Sequence, residues 1–509
     1  MTTTLFRGGR IRTGGTDEVD WVLVDRDRIA ATGRGDDAPG ADALVDLEGA
    51  TLVPAFCDAH VHLPATGLYA QGMDFRGEHR TDAILAAFAD KATDPSALLF
   101  GGNFEDPLDE PLDRHDLDRV VGERPALLAR ADMHSCIVSS KLLGGLDLDG
   151  IEGVDRAEDG APTGYLRERA AAEAWRWFDS HMTADQQRTA VVAAARLCYS
   201  KGVAAVHEMF VVEWRGWDSL DVFLATVKEL PLHVMPYVAT VEVDRVRALG
   251  LDRVGGDLFL DGSFGSHTAW LSAPYESPPP SGSAPHGTPY RSDDELHDFF
   301  SAAQQAGLQT GVHAIGDAAI EQAIATWERV AGEVGIEAVK HLGHRIEHFE
   351  CASDDHIERA ARLGLRASVQ PAFDALWGGS EGLYAQRIGR ARAARMNRFA
   401  TMRRSGMVVG AGSDSTVTPL DPFLQMAALR AHHEEQERMS ALDALRVHTS
   451  GSHALAGTSD AGTIAPGMSA HLALLDRDPL EVDPDELVKT EVLGTWIAGA
   501  RVWREDETP

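Results

Sequence analysis

Cysteine is scarce in this chain, with four residues among 509. Cys57, Cys136, Cys198 and Cys351 stand too far apart for a disulfide framework or a paired-cysteine zinc motif. Apolar runs are also short, because none reaches the roughly 18 residues of a membrane span and the N-terminus has no apolar core of signal-peptide length. We therefore expect a reducing compartment and a cytoplasmic protein.

Basic residues are few relative to acidic ones. The chain has 47 Lys and Arg against 79 Asp and Glu, a formal net charge of −32. A surface of that charge repels phosphate backbones and anionic lipid, so neither nucleic acid nor a membrane is an expected partner. The apolar fraction of 44% is ordinary for a globular protein and excludes global disorder. A small molecule remains as the expected partner.

The middle of the chain alternates β-prone runs with helical stretches. Eight runs are candidate strands: TLVPAFCDAHVH, GVAAVHEMF, LHVMPYVAT, DLFLDGSFG, TGVHAIGD, RIEHFE, RASVQPAF and VVGAGSDS. Buried β runs that alternate with amphipathic helices predict a parallel sheet, and eight such units predict an α/β fold closed as a TIM-like (β/α)8 barrel. A long insertion, about residues 64–200, separates the first run from the second.

Both ends of the chain carry short β-prone runs separated by Gly and Asp, which is typical of strands and hairpins. We expect residues 1–55 and 460–509 to form one small composite β domain, and residues 56–459 to form the barrel with its insertion. A stretch rich in Pro, Gly and Ser follows the fourth strand and predicts a loop on the face where barrel active sites lie.

The strongest chemical signal is the His60 and His62 pair at the end of the first strand. Residues i and i+2 of a strand point to the same side, so the two imidazoles can hold one metal ion. His313, His348 and Asp414 end the fifth, sixth and eighth strands. Because these strand ends converge on one mouth of a barrel, the sequence predicts a nitrogen and oxygen site for zinc or another divalent ion.

Such a site predicts hydrolysis without a nucleophilic Ser or Cys. Zinc lowers the pKa of a bound water from about 15.7 to about 7 and polarises a substrate carbonyl. Asp414 can take the proton from that water and pass it to a leaving nitrogen. Asp261, after the fourth strand, is a candidate for substrate contact. Trp377, after the seventh, is a candidate for an aromatic wall of the pocket, ordinary loop packing being the other interpretation.

The chain resembles the amidohydrolase superfamily, and within it the family-3 amidohydrolases that include N-substituted formamide deformylase. The segments that carry the resemblance run in order over nearly the whole chain: PAFCDAHVHL, LFLDGSFGSHTAWL, GVHAIGDAAI, HRIEHFE, GSDSTVTPLDP and GTIAPGMSAHLALLDRDP. The resemblance implies a metal-dependent hydrolase that cleaves a non-peptide C–N bond in an amide, an N-formyl amine or a cyclic amide. It also suggests a homodimer.

The family pattern assigns five residues to the metal centre: His60, His62, His313, His348 and Asp414. His348 is then either a fifth ligand or the residue that holds the attacking water. Relatives often have a lysine that bridges two metal ions once it is carboxylated, and this chain has Asp257 at that position. An Asp can still bridge, but its side chain is shorter, so both one ion and two ions stay open.

The resemblance also indicates residues that face the substrate. His267 stands where relatives commonly have Arg, which points to altered substrate contacts. His134, in the insertion, lies in the matching segment RPALLARADMHSCIVSSKLL. A lone His in such a segment is also compatible with a structural role.

Two other functions stay open at this point. A deaminase of the same superfamily tolerates a single metal ion, which fits Asp257, but it usually has a Glu near the fifth-strand His, where this chain has Asp317. A non-catalytic binding barrel is the second alternative. It predicts a damaged set of metal ligands, whereas all the ligand positions are intact in the sequence.

Overall fold

The computed structural model describes residues 3–35, 37–95, 97–104, 107–130, 135–277 and 284–504. The chain divides into two compact units. One unit consists of Met1–His62, Arg196–Phe210 and Pro231–Pro509, and the other of Leu63–Ala195 and Val211–Leu230. Within the described ranges, no helix has both the length and the apolar character needed to cross a membrane.

The first unit contains a parallel sheet of eight strands. In chain order they are β1 (Phe56–Val61), β2 (Val203–Val211), β3 (His233–Ala239), β4 (Arg253–Phe259), β5 (Gln309–Ala314), β6 (Arg345–His348), β7 (Arg366–Val369) and β8 (Val409–Ala411). Neighbours in the chain are neighbours in the sheet. The sheet closes because Asp414 N–H donates to His60 O at 2.8 Å and His62 N–H donates to Ser415 O at 3.1 Å. The predicted (β/α)8 barrel is confirmed.

Helices follow the strands of this unit as the alternating pattern predicts. Two of them begin at capping boxes, at Ser292 and Ser353, and end at the left-handed Gly307 and Gly364, so local sequence fixes their bounds. The helices are Val243–Ala248, Asp293–Ala306, Asp317–Val334, Ile336–Leu342, Asp354–Leu363, Pro371–Trp377, Leu383–Ile388, Arg390–Ala393, Phe399–Arg404, Pro422–Arg430, Ala441–Arg446, Ser452–Leu455 and Pro484–Leu487, with a 3-10 turn at Glu435–Glu437 and a π-helical turn at Val447–Gly451.

Strands from both ends of the chain meet in the first unit. A four-stranded sheet has the order Arg28–Gly33, Trp21–Asp25, Thr3–Arg7 and Ala43–Asp46. A five-stranded sheet has the order Arg10–Ile11, Thr51–Pro54, Leu472–Leu475, Val492–Ile497 and Ala500–Arg504. Phe6, Leu472 and Trp496 share one apolar core. The two ends therefore form one small β structure, while the proposed domain boundaries stay a prediction, since the compact units divide the chain differently.

The second unit is built around a six-stranded sheet. Its strands, in spatial order, are Val154–Arg156, Pro162–Arg167, Ser135–Val138, Ala126–Arg130, Leu99–Phe104 and Met73–Asp74. The helices between residues 63 and 227 are Leu63–Gln71, Thr81–Lys91, Arg114–Val121, Ser140–Leu143, Glu168–Ser180, Ala184–Ser200, Val212–Arg215 and Trp217–Val227. Phe100, Leu127 and Leu166 are buried in its core. The unit corresponds closely to the insertion expected after the first barrel strand.

Candidate metal centre

The six side chains named as metal ligands lie together at the carboxyl ends of barrel strands. Five of them are buried, and His62 is partly exposed. His60 lies in β1, Asp257 in β4, His313 in β5 and His348 in β6. His62 directly follows β1, and Asp414 follows β8. The convergence expected from the strand ends is therefore present in the fold.

The Asp257 carboxylate stands between two pairs of imidazoles. Its Oδ2 is 3.2 Å from His62 Nε2 and 3.7 Å from His60 Nε2. Its Oδ1 is 3.3 Å from His313 Nδ1 and 3.6 Å from His348 Nε2. Each oxygen of this one carboxylate thus faces a different pair.

Asp414 lies on the same side of Asp257 as His60 and His62. Its Oδ1 is 3.3 Å from His62 Nε2 and 3.6 Å from His60 Nε2. Two donor atoms bound to a tetrahedral zinc ion at about 2.1 Å lie about 3.4 Å from each other. The spacing of these side-chain atoms is therefore the spacing of ligands around one cation.

Three buried atoms at this centre have no hydrogen-bond partner among the described residues: His60 Nε2, His348 Nε2 and Asp414 Oδ1. A buried polar atom without a partner costs about 1–3 kcal/mol, so natural structures rarely leave one unpaired. These nitrogens and this oxygen are also the atom types that bind zinc. The residues present fit a divalent cation.

A buried ion pair holds the His60 ring. His60 Nδ1–H donates to Glu347 Oε2 at 2.9 Å, and Arg345 donates to both oxygens of Glu347, from Nε at 2.5 Å and from Nη2 at 2.7 Å. Gly311 leaves the space for this pair, because a Cβ there would lie 2.7 Å from Glu347 Oε1. With Nδ1 engaged, His60 presents Nε2 to the centre, which is how outer carboxylates orient metal-binding imidazoles.

Two further acceptors orient the other rings. His62 Nδ1–H donates to the Met209 carbonyl at 2.9 Å, and His348 Nδ1–H donates to Gln370 Oε1 at 2.8 Å. The sequence analysis did not identify Gln370. Gln370 directly follows β7, so the rule that placed candidate ligands at strand ends also applies to it, but Gln is not a typical ligand for zinc.

Hydrogen bonds where β1 meets β8 fix the backbone beside His60 and Asp414. The Asp58 carboxylate accepts the backbone N–H of Ser413 at 3.0 Å and of His60 at 3.1 Å. Gly412 is required here, because a Cβ at this position would lie 2.3 Å from His60 N. Asp414 follows with a φ of 52°, a left-handed conformation that is strained for a residue with a side chain and concentrates at functional sites.

The charges of the centre stabilise one another. Burial lowers the pKa of His62, but Asp257 and Asp414 outweigh it and raise the pKa to about 10. Burial raises the pKa of Asp257, but the surrounding imidazoles outweigh it and hold the pKa well below its usual range. Asp257 is therefore ionised at neutral pH, as a metal-binding carboxylate must be.

Asp261 makes contacts that the sequence analysis did not predict. Its side chain is fully buried and accepts the backbone N–H of Trp270 at 2.8 Å, of Ile315 at 3.0 Å and of Gly316 at 2.8 Å. Burial raises the pKa of Asp261, and the amide donors lower it. Burial is the larger effect, and the pKa is raised to about 6. Asp261 thus fastens the loop after β4 to the end of β5, and its contact with substrate stays a prediction.

The other expected substrate contacts are dispersed. His267 lies within 2.9 Å of Ser277 Oγ through its Nε2. The Trp377 ring packs 4.7 Å from the Phe373 ring. The Phe373 ring in turn lies parallel to the ring of His348. His134 lies outside the described residues. None of these placements tests a role in binding substrate.

Known proteins resemble this chain over most of its length. The model of the amidohydrolase family matches residues 43–503. The putative amidohydrolase YtcJ of Bacillus subtilis is 28% identical over 505 residues, which cover 91% of this chain and 90% of that protein. N-substituted formamide deformylase of Arthrobacter pascens is 27% identical, with 94% of each chain covered. The crystal structure of an uncharacterized metal-dependent hydrolase from Pyrococcus furiosus superposes with a TM-score of 0.78 at 27% identity, covering 94% of this chain and all of that one. The chain belongs to the amidohydrolase family.

Proposed function

We propose that this protein hydrolyses a non-peptide C–N bond of a small molecule, in an amide, an N-formyl amine or a cyclic amide. The observation that carries the proposal is the convergence of four imidazoles and two carboxylates, three of whose buried atoms have no partner among the described residues. The relative from Arthrobacter, by its name a deformylase of N-substituted formamides, supports an amide-like bond as the target.

The metal is proposed to be zinc, since imidazole and carboxylate ligands at this spacing suit it. Because each oxygen of Asp257 faces a different pair of imidazoles, we propose two ion positions, and Asp257 would contribute one oxygen to each. The first would be held by His60, His62, Asp414 and Asp257 Oδ2, and the second by His313, His348 and Asp257 Oδ1. Divalent ions bound here would supply Lewis acidity toward a carbonyl and lower the pKa of a water molecule.

Asp414 is proposed to carry the proton. Its Oδ1 faces His60 and His62 and accepts no hydrogen bond from the described residues, so it can receive a proton from the attacking water and deliver it to the leaving nitrogen. His348 is proposed to position the reacting groups. Its Nδ1–H is engaged by Gln370, so its Nε2 faces the centre.

The deaminase alternative is less well supported by the geometry. The candidate acid Asp317 accepts hydrogen bonds from the backbone N–H and the hydroxyl of Ser272 and so is engaged within a loop. The two-sided placement of Asp257 also favours two ions over one. The non-catalytic barrel required a damaged ligand set, and the set here is complete.

The test combines metal content with product identity. The protein, purified without chelator, is expected to retain zinc and to release a free amine and a carboxylate from N-formyl or N-acetyl amines. Ammonia released from a cyclic amidine, with no amide hydrolysed, would favour the deaminase. Protein that refuses added zinc would contradict the proposal.

A further inference from the structure

The imidazole of His207 lies in the barrel core, and the proposed chemistry assigns it no part. The residue belongs to β2, its side chain is fully buried, and among the described residues it is a member of no group that could hold a cation. A buried imidazole needs a partner for each ring nitrogen, because an unpaired polar atom in the core costs stability. The partners of His207 therefore show what this ring does in the fold.

The two ring nitrogens of His207 have different partners. Arg345 Nη1 lies 2.7 Å from His207 Nδ1, and Cys57 Sγ lies 3.7 Å from His207 Nε2. Because a guanidinium can only donate, Nδ1 must be the unprotonated acceptor and Nε2 carries the proton. Burial, and after it the positive charge of Arg345, holds the pKa of His207 well below its usual range. The ring is therefore neutral and has a single tautomer.

Arg345 connects His207 to the surroundings of the metal centre. Its Nε and Nη2 donate to the Glu347 carboxylate, and Nη2 also donates to the Ala59 carbonyl at 2.6 Å. The guanidinium carbon lies 4.6 Å from the centroid of the Tyr237 ring, which packs against one face of the group. In the described part of the chain, His207 is the only hydrogen-bond acceptor of Nη1. Without His207, a donor of this buried cation would have no partner.

Both sets of bonds made by Arg345 lead to His60. Glu347 accepts the His60 Nδ1–H at 2.9 Å and so sets the direction of the ring. The Ala59 carbonyl belongs to the peptide bond that joins Ala59 to His60, so the bond to it fixes the backbone at the same place. A guanidinium is a rigid planar fork, and it can meet a carboxylate with two bonds and a neighbouring carbonyl with a third only in one orientation. Whatever fixes the plane of Arg345 therefore also fixes the His60 ring.

We propose that His207 is a positioning residue of the metal centre: by accepting Arg345 Nη1–H, it holds the guanidinium in the orientation that presents His60 Nε2 to a cation. The inference rests on the proposed function, since it concerns how one of the proposed ligands is oriented. Its requirement is an acceptor atom at the position of His207 Nδ1. An amide oxygen meets this requirement and a hydrocarbon side chain does not. A role in core packing alone would place no such demand on the chemistry of the residue.

Two substitutions of His207 separate these roles. His207→Leu fills the space with an apolar side chain and removes the acceptor, whereas His207→Asn offers an amide oxygen near the position of Nδ1. Loss of an outer partner of a metal ligand typically costs 10–100-fold in affinity, and His207 acts from further out, so the zinc Kd should rise at least about fivefold in His207→Leu. In His207→Asn it should stay within about twofold of the unchanged protein. The Kd is measured by competition with a chromophoric chelator.

His432→Leu is the matched control. His432 is also buried, its Nδ1 accepts the Glu434 N–H at 3.0 Å, and its Nε2–H donates to the Asn397 carbonyl at 2.9 Å. Neither partner belongs to the metal centre. His432→Leu should therefore unfold at a lower urea concentration and keep the zinc Kd of the unchanged protein. An equal rise of the zinc Kd in His432→Leu would show that loss of stability alone weakens zinc binding, and the positioning role would fall.

A measurement on the unchanged protein keeps the test open if His207→Leu does not fold. The chain, labelled with ¹⁵N in its histidines, is studied by NMR without metal, and the His207 ring signals are identified by their absence from His207→Asn. The expected result is a neutral ring protonated at Nε2, since Nδ1 accepts from Arg345. A proton on His207 Nδ1 would overturn the proposal, because that nitrogen could then accept nothing.

Two further results would overturn the positioning role. One is an unchanged zinc Kd in folded His207→Leu, and the other is a rise in His207→Asn as large as that in His207→Leu. Turnover of an N-formyl amine is scored separately. Hydrolysis by a protein whose zinc Kd does not respond to His207→Leu contradicts the positioning role alone, and the expected zinc Kd values in a protein that hydrolyses no amide contradict the proposed function alone.

Discussion

Glu347 is the outer residue on which the metal centre depends most. It accepts the His60 Nδ1–H at 2.9 Å and neutralises Arg345, and all three side chains are fully buried. In Glu347→Gln, the amide oxygen can accept one of these donors, but the guanidinium loses its counter-charge. Removing one member of a buried ion pair costs about 3–5 kcal/mol, so we expect the free energy of unfolding of the metal-free variant to fall by about 3 kcal/mol.

The same substitution should weaken metal binding. Loss of an outer carboxylate that orients a metal-binding imidazole typically costs 10–100-fold in affinity, about 1.4–2.7 kcal/mol. The zinc Kd, measured by competition with a chromophoric chelator, should therefore rise at least about tenfold in Glu347→Gln. Urea unfolding in the presence of chelator gives the stability of the metal-free protein independently.

Glu437→Gln is the matched control. Glu437 is also buried, accepts the backbone N–H of Thr401 at 2.9 Å, and has Arg404 at 3.7 Å, but it makes no contact with the metal centre. Its substitution should lower the free energy of unfolding and leave the zinc Kd unchanged. An unchanged zinc Kd in folded Glu347→Gln, or an equal loss in Glu437→Gln, would refute the reasoning.

Three other outcomes are expected. His60→Ala should abolish turnover and weaken zinc binding while the circular dichroism spectrum is retained, because the barrel core consists of other side chains; unchanged turnover would refute the site. Asp257→Ala should reduce bound zinc from two ions per chain toward one, as measured by atomic absorption, and an unchanged ratio would exclude bridging. Glu347 also sets a pH dependence of stability in metal-free protein. Burial raises the pKa of Glu347, but Arg345 and His60 outweigh burial and lower the pKa from 4.5 to about 2. The ionised carboxylate therefore stabilises the folded protein fully above pH 4.5, and this stabilisation is lost as the pH falls toward 2. The difference corresponds to about 3 kcal/mol, and the unfolding free energy of Glu347→Gln should be flatter between pH 4.5 and 2 than that of the unchanged protein.

The barrel and the convergence of the candidate ligands could be predicted because the signals are local. All the candidate ligands except Asp257 stand at or near the end of a short buried run, and the carboxyl ends of parallel strands must meet at one mouth. Two runs contain errors: RASVQPAF extends into the helix Pro371–Trp377, and TLVPAFCDAHVH, from Thr51 to His62, reads as a single strand. In the structure it divides after Pro54 into a strand of the terminal sheet and β1. Proline lacks the N–H that a continuous strand would use, which marks the position of the break.

The sheet of the second unit was largely hidden from sequence reasoning. Strands such as Leu99–Phe104 and Pro162–Arg167 are short, contain Gly, and pair with partners distant in the chain. Their burial comes from tertiary packing and not from a strong alternating pattern, so β-propensity alone does not reveal them.

The hydrogen bonds of Glu347 show a second limit of sequence reasoning. Glu347 stands one residue before His348 in the segment HRIEHFE, but only the closed barrel shows that its carboxylate accepts both the Arg345 guanidinium and His60 Nδ1–H.

The position of Asp257 supports a large proposed role for the residues behind the candidate ligands. A short side chain on β4 can face both imidazole pairs only if the pairs are close, and the His348 ring lies 4.9 Å from that of His60 and 4.4 Å from that of His313. Rings this close cannot rotate independently, so their orientation must be set from outside, by Glu347 for His60 and by Gln370 for His348. If Asp257 takes the place of a longer bridging residue, as proposed, control of the geometry would shift from that residue to the hydrogen bonds behind the candidate ligands.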